Sequence, residues 1–278
     1  MATALHLPGT LHLTGLLVRR ELGAKLTSPW FFVVATAICL TALVYGSGFQ
    51  QSFETETVLV TSDPLLALNV MVISFVGLVL GLRLASGLAW EREHRTLEVL
   101  LVGPVPWSAV VLAKFLVELC VLALLLAIYW AYLLLAQPLG AGVIGLADTL
   151  PIGQMPIFVL PLLALGLLIS AWARSVRSAV VGFLVLVGLL AIYEATLAVM
   201  TTLPAADMSL SSLYLRAGLE SVAPVLHPVS AVGALAGLIE RSVTQNPVTA
   251  LQTGASLALT VATLGLCIIV ARFKGTQG

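Results

Sequence analysis

The sequence predicts an all-α integral membrane protein with six transmembrane helices, and three observations predict it. Of 278 residues, 60% are hydrophobic and 9% charged, whereas a soluble domain carries about a quarter charged residues. Six apolar runs of about 20 residues divide the chain, each long enough to cross a hydrocarbon core of about 30 Å. The runs lack the alternation of a lipid-facing barrel strand, so helices must satisfy the backbone polar groups in lipid.

Taken in order, the predicted spans are Trp30–Phe49, Leu65–Trp90, Ala109–Ala136, Pro156–Ala173, Ala179–Met200 and Val248–Ala271, within one transmembrane domain over 1–278. The fourth is short and contains Pro161, which predicts a kink or a thin local bilayer. Ahead of the first span, Leu11–Thr27 mixes leucines with Arg19, Arg20, Glu21 and Lys25. It reads as an amphipathic entry helix lying along the cytoplasmic interface, with a plain cytoplasmic tail as the alternative. The apolar run that follows is span-length and no A-x-A-like site ends it, so a retained first helix is expected rather than a cleaved signal.

Lysine and arginine set the orientation. Arg19, Arg20 and Lys25 precede the first span, and Arg92, Arg95 and Lys114 sit around the second connection. Arg174 and Arg177 lie between the fourth and fifth spans, and Arg272 and Lys274 follow the sixth. The alternate loops hold Glu54, Glu56 and Asp63, then Asp148, with no basic residue. The positive-inside rule therefore places both termini in the cytoplasm.

Composition also excludes functions. The net charge is zero, which argues against a nucleic-acid partner. Cys39, Cys120 and Cys267 each lie inside an apolar run and form no disulfide framework. The four histidines are scattered without ligand spacing, so no metal or cofactor is expected in this chain.

Five consecutive ionisable residues, Glu91 to Arg95, open the stretch EREHRTLEVLLVGPV between the second and third spans. Placed on a helix over Glu91–Val102, Leu97, Leu100 and Leu101 fall on one side, and Glu91, Arg95 and Glu98 on the other. Glu91 with Arg95, and His94 with Glu98, are spaced i,i+4 and can pair. Gly103-Pro104 ends the helix, and Trp107 suits the membrane interface. Two readings follow: an ordered connector stabilised by its own pairs, or a helix whose surface docks into a partner's groove.

The same stretch resembles the segment after the second span of type-2 ABC export permeases, at Glu91, Arg92, Glu93, Thr96, Leu97, Glu98, Leu100, Leu101, Pro104 and Val105. It departs at Arg95, where that family commonly has glycine. RRELGAKLTSPWF resembles the family's entry helix, and SVAPVLHPVSAVGALAGLIE its re-entrant stretch before the last span. The resemblance implies that the helix carrying Glu91, Arg92, Glu93, Arg95, Leu97, Glu98, Leu100 and Leu101 couples the permease to a separate ATPase. It further implies two ATPase subunits, which hold ATP and magnesium, and a second permease copy as a homodimer or a similar permease as partner. No G-x-x-x-x-G-K-[ST] phosphate loop occurs in this chain.

Ionisable residues inside spans are functional candidates. Arg83 lies seven residues before Trp90, about 10 Å from the cytoplasmic end at 1.5 Å per residue, and Glu118 lies at similar depth on the next span. Either the two pair, or Arg83 snorkels to the interface while Glu118 pairs with Lys114. Glu194, well out along the fifth span, is expected to face the central cavity or an outer partner such as Arg216 or Arg241. The outer segment, about 201–247, reads as two short helices broken by Pro224 and Pro228, a lid with Pro224, His227 and Pro228 at its gate.

The expected function is a permease subunit of an ATP-driven exporter in a prokaryotic inner membrane, moving or flipping an amphipathic substrate. The rivals are an ABC complex doing mechanical or maturation work on an outer partner, and an ion-coupled secondary transporter. An intramembrane enzyme would need paired acids, a Ser/His arrangement or a metal motif within the spans, and none is present.

Overall fold

The computed structural model describes residues 10–56, 64–94, 106–136, 156–202, 209–226 and 250–275. Every regular element among them is helical. In chain order they are α1 (Thr10–Leu26), α2 (Pro29–Glu56), α3 (Pro64–Glu93), α4 (Trp107–Ala136), α5 (Leu160–Trp172), α6 (Val176–Thr202), α7 (Leu210–Leu226) and α8 (Ala250–Gly275).

Among the described residues, four helical stretches are long and apolar enough to cross a membrane: Leu68–Glu93, Trp107–Leu135, Val176–Thr201 and Thr253–Phe273. A fifth exists if α1 and α2 are taken together, although they meet at a bend of 65°. Local chemistry makes that bend. Thr27 and Ser28 donate back to the carbonyls of Gly23 and Lys25, ending α1, and Pro29 opens α2, where a missing N–H costs nothing.

The fourth predicted span is short, as expected, but Pro161 does not kink it. A 3₁₀ turn over 156–159 leads into α5, which has only 13 residues. Pro161 stands in the first turn of α5 rather than kinking a longer helix, because the early helical positions have no intrahelical acceptor to lose. The whole Pro156–Trp172 stretch remains short and apolar.

α3 and α4 are the longest described helices. At 30 residues each they are about 45 Å long, some 15 Å beyond the hydrocarbon thickness. α5 packs between α3 and α8, α1 lies on α4, and α6 lies on α3 and α5. The core draws Ile38 from α2, Ile73 and Leu80 from α3, Leu122 and Leu125 from α4, and Leu163 and Leu167 from α5. α3 and α5 approach closely because both carry glycine at the crossing: a Cβ on Gly166 would collide with the Gly81 carbonyl. Nearby, Ser170 Oγ accepts hydrogen bonds from the N–H groups of Leu88 and Ala89 at 2.9 and 3.0 Å.

Buried polar side chains supply further ties. Tyr129 donates to Asn69 Oδ1 at 2.6 Å between α4 and α3. On α8, Thr260 and Thr263 return their hydroxyls to carbonyls one turn back. α6, in contrast, leaves much of its apolar surface uncovered, including Val181, Val185, Leu189, Ile192 and Val199.

Candidate functional site

Charged residues converge where the cytoplasmic ends of α1, α3 and α4 are expected. α1 carries Glu21 and Lys25, one turn apart, and α4 carries Lys114 and Glu118 with the same spacing and opposite signs. The two pairs align in parallel. Lys114 Nζ lies 3.4 Å from Glu21 Oε1, and Lys25 Nζ pairs with Glu118 Oε1. Two rungs therefore tie the entry helix to α4.

α3 closes the same cluster from the other side. Arg83 Nε lies 3.6 Å from Glu118 Oε1, and its guanidinium sits 4.1 Å over the Trp30 ring. Lys114 also donates to Glu91 Oε1 at 2.6 Å. Glu118 is fully buried between two cations, and the negative face of the Trp30 ring offsets part of the excess positive charge. Burying a carboxylate this deeply requires counter-ions fixed around it.

The two sequence readings of Arg83 and Glu118 thus resolve geometrically. Arg83 faces Glu118, and Lys114 turns away to Glu91 and Glu21. Sequence reasoning missed Lys25 and Glu21 as partners. The available signal was the complementary i,i+4 pattern on two segments, Glu-x-x-x-Lys against Lys-x-x-x-Glu.

The charged triplet also departs from expectation. α3 continues through Glu93, so Glu91, Arg92 and Glu93 form its last turn rather than the start of a separate helix. Glu91 was expected to face outward with Arg95; instead its carboxylate is held by Lys114. Arg92 donates to the carbonyls of Ala173 at 2.6 Å and Ala171 at 3.3 Å. Glu93 accepts the Val176 N–H at 3.1 Å. His94 folds back on the helix, its ring stacked on Trp90 at 4.3 Å and Nδ1 2.9 Å from the Trp90 carbonyl. Arg95, Leu97, Glu98, Leu100 and Leu101 lie outside the described residues.

On the opposite side, α6 and α7 meet through Tyr193, whose hydroxyl donates to Leu219 O at 2.9 Å. Glu194 is half-buried on α6. Arg216, expected as its partner, instead pairs with Glu220 at 2.7 Å, because a carboxylate one turn along the same helix is already in reach. Pro224 does not break α7, which runs two residues past it to Leu226. His227, Pro228 and Arg241 lie outside the described residues.

Among the described residues, no three His, Cys, Asp or Glu side chains gather where they could hold a metal. The clustered groups among the described residues are carboxylates paired with cations, an arrangement for binding helices together. No curated protein matches the chain. Residues 16–274 match the model of a family described as ABC-2 family transporter protein. The chain therefore belongs to the ABC-2 transporter family, as the membrane permease component of an ABC transporter.

Proposed function

We propose that this permease is the membrane subunit of an exporter that moves or flips an amphipathic substrate outward across a prokaryotic inner membrane. Separate ATPase subunits bind ATP with magnesium and hydrolyse it. Two copies of this chain, each engaging one ATPase, enclose the pathway. The proposal includes six spans, with α2 and α5 joining the four long apolar stretches, and both termini in the cytoplasm. Glu194 is assigned to the pathway, and Pro224, His227 and Pro228 to the outer gate.

One observation carries this reading. The motif that begins at Glu91 is rooted in the bundle: its first three residues bind α4, the α5 terminus and the α6 terminus. A partner that grips the chain beyond His94 therefore grips the base of several helices at once. Leu97, Leu100 and Leu101 are proposed as the apolar side of that contact, with Arg95 and Glu98 as its polar side.

Co-purification with an ABC ATPase co-expressed from the same genome tests the proposal. Wild-type permease should retain the ATPase, and Glu98→Lys should weaken retention at least about tenfold, since breaking a desolvated interfacial charge pair costs about 2–5 kcal/mol. Topology reporters at Arg174 and after Lys274 should read cytoplasmic, and one at Glu54 external. Full retention and unchanged ATP turnover in Glu98→Lys would contradict the coupling role.

A further inference from the structure

Three consecutive side chains at the end of α3 reach three different elements. Successive helical residues point about 100° apart, so Glu91, Arg92 and Glu93 fan across the bundle base. Glu91 takes Lys114 of α4. The other two converge on the turn between α5 and α6, residues 173–175.

Their partners there are the free ends of two helices. Ala171 O and Ala173 O are terminal carbonyls of α5, at the negative end of its dipole, and the Arg92 guanidinium covers both. The Val176 N–H is the first of α6, at the positive end of its dipole, and the Glu93 carboxylate accepts it. Each charge has the sign that its helix end favours. Ser175 and Ser178 bond to each other, Ser175 O also accepts the Ala179 N–H of α6, and Arg174 and Arg177 are exposed. Links from this turn to α3 include these two side chains and the buried contact of Ala89, Ala173 and Ala179, with Val176 packed against it.

We propose that Arg92 and Glu93 are positioning residues for nucleotide coupling: they make the α5–α6 turn move with the cytoplasmic end of α3, so that force from the ATPase reaches α6. This rests on the permease–ATPase reading above. It differs from a docking role because both side chains act inside the permease and need not touch the ATPase. α6 is a helix that such a link can move, since it packs on α3, α5 and α7 while much of its remaining surface is uncovered.

The test uses the permease–ATPase complex in nanodiscs, with the three native cysteines replaced and a single cysteine at Thr201, the exposed outer end of α6. The probe is a membrane-impermeant maleimide, and the readout is the ratio of its labelling rates with ATP–vanadate and without nucleotide. We expect at least a threefold change in the otherwise wild-type protein. Glu93→Ala and Arg92→Met should bring the ratio close to one while the ATPase still co-purifies and hydrolyses ATP. Glu93→Gln keeps an oxygen acceptor for Val176 N–H and should retain the change, as a merely weakened fold would not. If Glu93→Ala or Arg92→Met lowers the melting temperature but keeps the wild-type ratio, the two residues are a static clip and the inference is overturned. A wild-type ratio of one overturns it as well. Failure of the ATPase to co-purify with wild-type permease overturns the permease–ATPase reading and this inference together, whereas the other outcomes bear on this inference alone.

Discussion

The two ends of this bundle both carry ion pairs, and they use them differently. At the base, Lys25–Glu118, Arg83–Glu118, Lys114–Glu21 and Lys114–Glu91 each join two separate helices. At the opposite end, Arg216–Glu220 joins two turns of α7, with the carboxylate side chain 49% exposed, and Arg216 reaches α6 through a long 3.4 Å bond to the Met200 carbonyl. The first set removes charge from water and recovers it only if every partner stays in place. The second keeps its water and is screened by salt. The same residue types thus fix helix positions in one region and decorate a helix in the other.

The comparison predicts a graded series of substitutions, read as thermal unfolding midpoints in detergent. Glu118→Ala should be the most damaging, because it leaves Lys25 and Arg83 facing each other without their shared carboxylate; removing one partner of a buried pair costs about 3–5 kcal/mol. Lys114→Met should cost about 3 kcal/mol, at the lower end of that range, because Glu21 is 28% exposed and can recover some hydration. Arg83→Lys keeps a cation near Glu118 but loses the planar face over Trp30, a loss of about 0.5–1 kcal/mol. Arg216→Ala should cost about 0.3–0.5 kcal/mol and vanish in high salt. An Arg216→Ala effect as large as that of Glu118→Ala would erase the distinction between the two regions.

What the sequence discloses follows from the range of each interaction. Apolar runs and proline positions are local, so the long helices α3, α4, α6 and α8 were legible, as was the start of α2 at Pro29. Depth arithmetic brought Arg83 and Glu118 within reach of each other because both lie on neighbouring spans of fixed rise. Depth arithmetic could not find Lys25, because its contact with Glu118 depends on how α1 lies across α4 beside a 65° bend; only the matched i,i+4 charges on the two segments pointed to it. Glu91, Arg92 and Glu93 misled for a related reason. Their helical spacing suggested a solvated face, but their partners are helix ends and a lysine brought close by tertiary packing. Pro161 was read as a kink or a thin local bilayer and Pro224 as a break, although a proline in a first turn forfeits no intrahelical hydrogen bond and one near a helix C-terminus forfeits a single one.

The claim that buried ion pairs fix the base of this permease is tested most directly by two double-mutant cycles measured side by side. One combines Lys25→Met with Glu118→Gln, and the other Arg216→Ala with Glu220→Ala. The account predicts an interaction energy of at least about 1 kcal/mol in the first cycle, within the range found for contacting residues, and one below about 0.5 kcal/mol in the second. Strict additivity in the first cycle, with each single substitution destabilising independently, would contradict it.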